Sequence, residues 1–263
     1  MSAAETYPKI SVITPNFNQC AFIERTITSV LDQNYPNLEY IIIDGRSTDT
    51  SVEIIKKFDD ELFYWESEKD EGMYHAINKG FARSTGAIMC WINSDDVLWE
   101  GALHFVARVF TENKQVQWLQ GFPSVIDEND NVILQRDPVA SKYYFYLRKH
   151  EKEFSFVQQE STFWTRELWN KSGGALNVNY ELAADFDLWL RFFGHEELYC
   201  TQRQLAAFRK REGQKSSDMH LYLSESKASV RNAVKRLNFL DKLKLRIARL
   251  TGSSFLNKPI KWI

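Results

Sequence analysis

A chain of 263 residues with 44% hydrophobic and 26% charged residues can bury one large core, which excludes a disordered or low-complexity protein. The net charge of −2 conceals an asymmetry: from Ser226 onward ten basic residues stand against Asp241 alone, a tail of +9 on a body of −11. An acidic body offers no extended basic groove, so no nucleic-acid partner is expected, and the basic tail points instead to an anionic surface.

In chain order, residues 10–14 read as a buried strand ending at Pro15-Asn16, and Phe22, Ile23, Ile27, Val30 and Leu31 then recur at helical spacing. Residues 38–43 predict a second strand closed by Asp44-Gly45, with Ser47 or Thr48 placed to cap the next helix. A shorter strand over 62–65 and a helix over 73–82 lead through Gly86 to a strand at 87–92, which stops at Asn93-Ser94-Asp95-Asp96 before a helix starting near Trp99-Glu100. After a strand at 116–119, the cluster from Asp127 to Asn131 predicts a hairpin turn. Alternating strands and helices imply a mostly parallel sheet covered by helices, and each polar cluster falls at a strand's carboxyl end, where open α/β sheets bind ligands. Beyond Ser217 the chain reads as helical, with Val230, Val234, Leu237, Leu240, Leu243, Ile247 and Leu250 near helical period.

Three groups of residues carry chemistry. Adjacent carboxylates such as Asp95 and Asp96 repel each other unless neutralised, and a hard divalent cation, Mn²⁺ or Mg²⁺, suits them because it takes oxygen ligands and shares its shell with a diphosphate. The bland alternative is a solvated loop with a helix cap. Asp44, at its strand end, is placed to accept from a base imide or a ribose hydroxyl, or to cap the helix that follows. Asp185 and Asp187 fall in the first turn of a helix, where acidic residues are electrostatically favoured, and either could also serve as a general base. Glu160 is another carboxylate suited to face an acceptor. The 8 Trp supply either core filling or ring platforms, and core filling is the commoner use of any single ring. Cys20, Cys90 and Cys200 lack the paired spacing of a zinc site or a disulfide framework.

Taken together, residues 8–211 resemble inverting glycosyltransferase family 2. The resemblance lies in Ser11-Val12-Ile13-Thr14-Pro15-Asn16-Phe17-Asn18, in the run from Ser29 to Pro36, in Asp44-Gly45-Arg46-Ser47-Thr48-Asp49 and in Asp70-Glu71-Gly72 with Ala76-Ile77-Asn78-Lys79-Gly80. It continues through Asn93-Ser94-Asp95-Asp96, Gly173-Gly174 and Asp185-Phe186-Asp187-Leu188-Trp189-Leu190-Arg191. What it implies is a GT-A, Rossmann-like fold with a nucleotide-binding half over 8–120 and an acceptor half over 121–217. A basic helical extension over 218–263 follows. Thr14, Pro15, Asn16, Asp44, Asn78 and Asp95 would then line the nucleotide site, Asp95 and Asp96 would hold the metal, with Asp96 the more direct ligand, and Asp185 would be the base. Glu160, Asp187 and Trp189 would face the acceptor. Asn93 departs from a frequent Asp, Ala184 from a frequent Glu, and Arg211 from a His that ligates metal in some relatives. An arginine there would clamp phosphate instead.

The implied reaction moves a sugar, with inversion, from a nucleotide sugar, with UDP the expected carrier, to a hydroxyl of a saccharide or lipid-linked saccharide in cell-surface polysaccharide synthesis. A sugar nucleotidyltransferase would carry a Gly-rich basic loop where Pro15-Asn16-Phe17-Asn18-Gln19 stands, and a non-catalytic homologue would not need Asp95, Asp96 and Asp185 intact. Neither a cleavable leader nor an apolar stretch long enough for a bilayer is visible, so the cytoplasm is the expected compartment, with the tail either at the inner membrane face or folded back on the catalytic domain as a helical pair.

Overall fold

The computed structural model describes residues 7–251, 256 and 259–263. It opens with β1 (Ile10–Asn16), α1 (Ile23–Leu31), β2 (Leu38–Asp44), α2 (Ser51–Lys56), β3 (Tyr64–Ser67), α3 (Met73–Arg83) and β4 (Ile88–Trp91). Next come β5 (Val97–Leu98), α4 (Ala102–Glu112), β6 (Trp118–Gln120) and the hairpin of β7 (Ser124–Ile126) and β8 (Val132–Gln135). There follow α5 (Lys142–Tyr146), α6 (His150–Glu153), β9 (Thr162–Thr165), α7 (Arg166–Lys171), α8 (Ala184–Phe192), β10 (Tyr199–Cys200) and β11 (Ala206–Arg209). The chain finishes with α9 (Met219–Arg236), α10 (Phe239–Thr251) and β12 (Lys261–Trp262).

The larger sheet has the order β12-β10-β6-β9-β4-β1-β2-β3, and β9 alone runs antiparallel to its neighbours. Strand β1 is buried along its whole length, as expected where helices cover both faces of a parallel sheet. On α3, Gly80 lets the helix lie against β1, since a Cβ there would sit 2.5 Å from Ile13 Cγ2. A smaller sheet has the order β5-β11-β7-β8. Strand pairing in the two sheets explains two departures from the predicted elements. Val97 and Leu98 extend to pair with Ala207 and Ala206, so the next helix begins at Ala102 rather than near Trp99. The third strand lies at Tyr64–Ser67, a little beyond the predicted 62–65, because its register follows Ile41 to Asp44 of β2.

One apolar cluster runs through the molecule and includes Val230, Leu245, Ala248 and Leu256 of the C-terminal segment. That segment is two helices rather than one periodic run. Leu237 is extended, and Asn238 accepts from the Asp241 amide at 2.8 Å to start α10 afresh. The break rotates the pattern: Val230 and Leu245 are buried, whereas Leu240, Leu243, Ile247 and Leu250 are exposed. Strand β12 then pairs with β10 and extends the main sheet.

Candidate active site

The carboxyl ends of β1, β2 and β3 place Asn16, Asp44 and Ser67 in adjacent register. Asp44 is wholly buried. Its Oδ1 accepts from Asn16 Nδ2 at 2.6 Å and from Ser47 Oγ at 2.5 Å, and its Oδ2 accepts from the Ser47 amide at 2.9 Å and Ser67 Oγ at 2.6 Å. The carboxylate therefore braces the loop tips at this end of the sheet. Close approach is required here, since a Cβ on Gly45 would stand 2.9 Å from Asp70 Oδ2. Thr14 shares a hydrogen bond with the Tyr40 hydroxyl at 3.1 Å, and Thr14, Pro15 and Asn16 are all buried under the same end of the sheet.

Beside them the loop after β4 carries Asp95 and Asp96. Asp96 has no exposed surface. Its Oδ1 accepts from the Arg209 amide at 2.8 Å and its Oδ2 from Asn93 Nδ2 at 3.1 Å. Burial, then the charges of Asp95 and Glu160, push its carboxyl well above the usual range. Asp95 is held by Arg211, whose Nε donates to its Oδ2 at 2.8 Å while Nη2 donates to Gln19 Oε1 at 2.9 Å. Arg209, 1% exposed, locks the loop to the β7–β8 turn. Its Nε donates to the Asp95 carbonyl and Nη1 to the Asp127 carbonyl, both at 2.7 Å, and Nη2 donates to Asp130.

Across from this loop lies a second acidic group. Glu160, 3% exposed, accepts from Gln158, and burial raises its pKa to about 8. Asp185, in the first turn of α8, is raised to about 7, chiefly by burial with a smaller push from Glu225. Its Oδ1 is enclosed without a partner, and the Tyr222 hydroxyl stands 3.5 Å from Oδ2. The charges form one field: Asp96 feels Glu160, Glu160 feels Asp185, and Asp185 feels Glu225.

The approach to α8 is held from an unexpected quarter. Glu225 on α9 accepts from the amides of Glu181, Leu182 and Ala183 at 2.8, 2.9 and 2.9 Å, taking up the unpaired donors before the helix that carries Asp185. Tyr74 of α3 reinforces this by donating to the Leu182 carbonyl at 2.6 Å. Sequence reasoning missed Tyr222 and Glu225 because they lie in the segment read as a basic helical extension outside the catalytic domain. It passed over Arg209, whose available signal was a charged residue alternating with Ala207 in an otherwise apolar strand.

Three candidates are placed elsewhere. Asn78 is tied to the backbone of Leu176, accepting from its amide at 2.8 Å and donating to its carbonyl at 3.0 Å, so its amide staples α3 to that loop. Asp187 accepts from Arg191 at 2.9 Å, and Arg191 donates onward to the carbonyls of Ser172 and Ala175. Trp189 is 2% exposed and stacks against Trp91 and Trp118, with centroids 6.0 and 5.8 Å apart. It fills the core rather than lining an exposed surface.

The family profile described as glycosyl transferase family 2 matches residues 11–168. The chain belongs to glycosyltransferase family 2. An uncharacterized glycosyltransferase of Mycobacterium tuberculosis is 31% identical over 186 residues, covering 70% of this chain and 68% of that protein. The GalNAc(5)-diNAcBac-PP-undecaprenol beta-1,3-glucosyltransferase of Campylobacter jejuni is 28% identical over 166 residues, 59% of this chain and 52% of that protein. Among solved structures, residues 1–349 of S. aureus TarS in complex with UDP-GlcNAc superpose with a TM-score of 0.71 at 16% identity, over 92% of this chain and 71% of that one. The fold is thus the GT-A glycosyltransferase fold. The matched span holds the loops that carry Asp44, Asp95 and Asp96 as well as Glu160, whereas Asp185, Arg209, Arg211 and Glu225 lie beyond it.

Proposed function

We propose that this family 2 transferase moves a sugar, with inversion, from a nucleotide sugar to a saccharide hydroxyl, using Asp185 as general base. The observation that carries the reading is the Asp185 carboxylate, which has an enclosed, unpartnered Oδ1 and a pKa raised to about 7. A base tuned close to neutrality is ionised often enough to act and basic enough to take a proton. In the step, the acceptor hydroxyl attacks the anomeric carbon as the Asp185 carboxylate takes its proton. The bond from that carbon to the diphosphate oxygen breaks, and the nucleoside diphosphate leaves. Glu160, whose buried carboxyl is raised to about 8, already accepts from Gln158 and is not assigned the role of base.

The Asp95–Asp96 loop suits a divalent cation. Its donors are oxygens, Asp96 is destabilised as an anion first by burial and then by Asp95 and Glu160, and Asn93 Oδ1 is buried without a partner. Asp95 and Asp96 would hold Mn²⁺ or Mg²⁺, which when bound supplies positive charge to the departing diphosphate. Arg211, already within reach of the same loop, adds a guanidinium suited to phosphate.

A UDP-sugar is the donor we favour, supported by the UDP-GlcNAc complex of TarS, and a saccharide or lipid-linked saccharide is the acceptor, supported by the undecaprenol-linked substrate in the name of the Campylobacter relative. Such a reaction belongs to cell-surface polysaccharide synthesis. The test is a thermal-shift screen of UDP-, dTDP- and GDP-sugars with Mn²⁺, followed by NMR of the product's anomeric centre. Stabilisation by a UDP-sugar and a product of inverted configuration support the reading. Retained configuration, or no stabilisation by any sugar nucleotide, contradicts it.

A further inference from the structure

Helix α10 has two contrasting faces. Inward, Leu245 and Ala248 are buried, the Tyr143 hydroxyl donates to Asp241 at 3.2 Å, and Arg249 donates to the Tyr146 carbonyl at 3.2 Å. Outward, Phe239, Leu240, Leu243, Ile247 and Leu250 are 43% to 79% exposed. At 3.6 residues per turn these five fall within an arc of roughly 100°. The arc is bordered on one side by Lys242 and Arg246 and on the other by Lys244, all exposed. The only acidic residue of the helix, Asp241, faces the body of the protein.

Beside the arc, a groove of about 370 Å³ between α9 and α10 is lined by Val234, Lys242, Leu245, Arg246, Arg249 and Leu250. Its lining sets three apolar side chains beside three cations. Among the described residues, no helix is long and apolar enough to cross a membrane. An exposed apolar stripe between cations is instead the build of a helix that lies in the plane of a bilayer surface.

We propose that α10 is an interfacial helix by which the protein docks on an anionic lipid bilayer. Charge complementarity selects this occupant over a second copy of the chain, because two-fold pairing of the stripe would bring the Lys242 and Arg246 borders of both copies together. Docking is separate from sugar transfer and is read without measuring it.

The experiment uses the full chain with vesicles of neutral phosphatidylcholine, or of the same lipid with about one-third phosphatidylglycerol. Three proteins are compared: the unaltered chain, Leu240→Glu/Leu250→Glu, and Lys242→Glu/Arg246→Glu. The unaltered chain should partition onto the anionic vesicles at least about ten-fold more strongly than onto the neutral ones, and added salt should weaken it. Each double variant should lose about ten-fold or more. All four positions are exposed and so tolerate change, and the charge pair alone decides the matter if the apolar pair fails to fold. Equal binding to both vesicle types, or variants that bind as the unaltered chain does, would overturn the proposal. So would a dimer in the absence of lipid that Leu240→Glu/Leu250→Glu converts to monomer.

Discussion

Replacing Asp185 by Asn should make the protein more stable while disabling it, and the gain should grow with pH. In the folded protein the carboxyl moves from its ordinary 3.8 to about 7, chiefly because burial disfavours its charge. Below pH 3.8 it is protonated whether folded or unfolded, and it costs nothing. Between 3.8 and about 7 the unfolded chain releases a proton that the folded chain keeps, so stability falls by up to about 1.4 kcal/mol per pH unit. Above about pH 7 both states are ionised and the full penalty stands. The displacement corresponds to a ceiling of about 4 kcal/mol. Asp185 is only partly enclosed, so the measured figure should be about 2 to 4 kcal/mol. Asn keeps the shape and does not titrate. Urea unfolding of both proteins at pH 5, 6, 7 and 8 should show a gap that widens to pH 7 and then levels. A constant gap, or one that closes with rising pH, would refute the claim that a buried, destabilised carboxylate sits here.

The same residue sets the pH dependence of turnover: kcat/KM should rise as pH increases through about 7, and a rate independent of pH from 5 to 8 would exclude Asp185 as the base. Asp96→Ala should lower turnover by about 10² or more and remove any response to added Mn²⁺, checked by titrating metal into chelated enzyme. Glu225→Gln should leave donor affinity unchanged, lower turnover roughly ten-fold to hundred-fold as the approach to α8 loosens, and move the acid limb of the pH profile downward as a negative neighbour is neutralised. An unaltered profile with unaltered turnover would show that Glu225 does not bear on Asp185.

Much of the architecture was legible because it rests on period and punctuation. The runs over 10–14 and 38–43 are apolar on both faces, as parallel strands must be, and each ends in a polar cluster that the structure brings to one edge of the sheet. The hairpin at 127–131 was legible for the same kind of local reason. What remained hidden depends on tertiary neighbours. Nothing local distinguishes an Asn78 that staples a loop from one that meets a nucleotide, or a Trp189 in the core from one in a cleft. The helical repeat after Ser217 was visible, but the Asn238 cap that breaks it and turns Leu240, Leu243 and Ile247 outward changes which residues meet the body. Tyr222 and Glu225 bear on Asp185 across a gap of about forty residues, which no short motif records. Cutting the chain at Ser217 would therefore remove a support of the site along with the tail.

The most direct test of the central claim compares donor binding and turnover in the unaltered chain and in Asp185→Asn, using the sugar nucleotide that stabilises the protein. Calorimetry gives the Kd, and release of nucleoside diphosphate in the presence of saccharide acceptor gives the rate. The account predicts an unchanged Kd with turnover lowered by about 10² to 10⁴-fold. Near-normal turnover in Asp185→Asn, or a loss of affinity that matches the loss of rate, would contradict it.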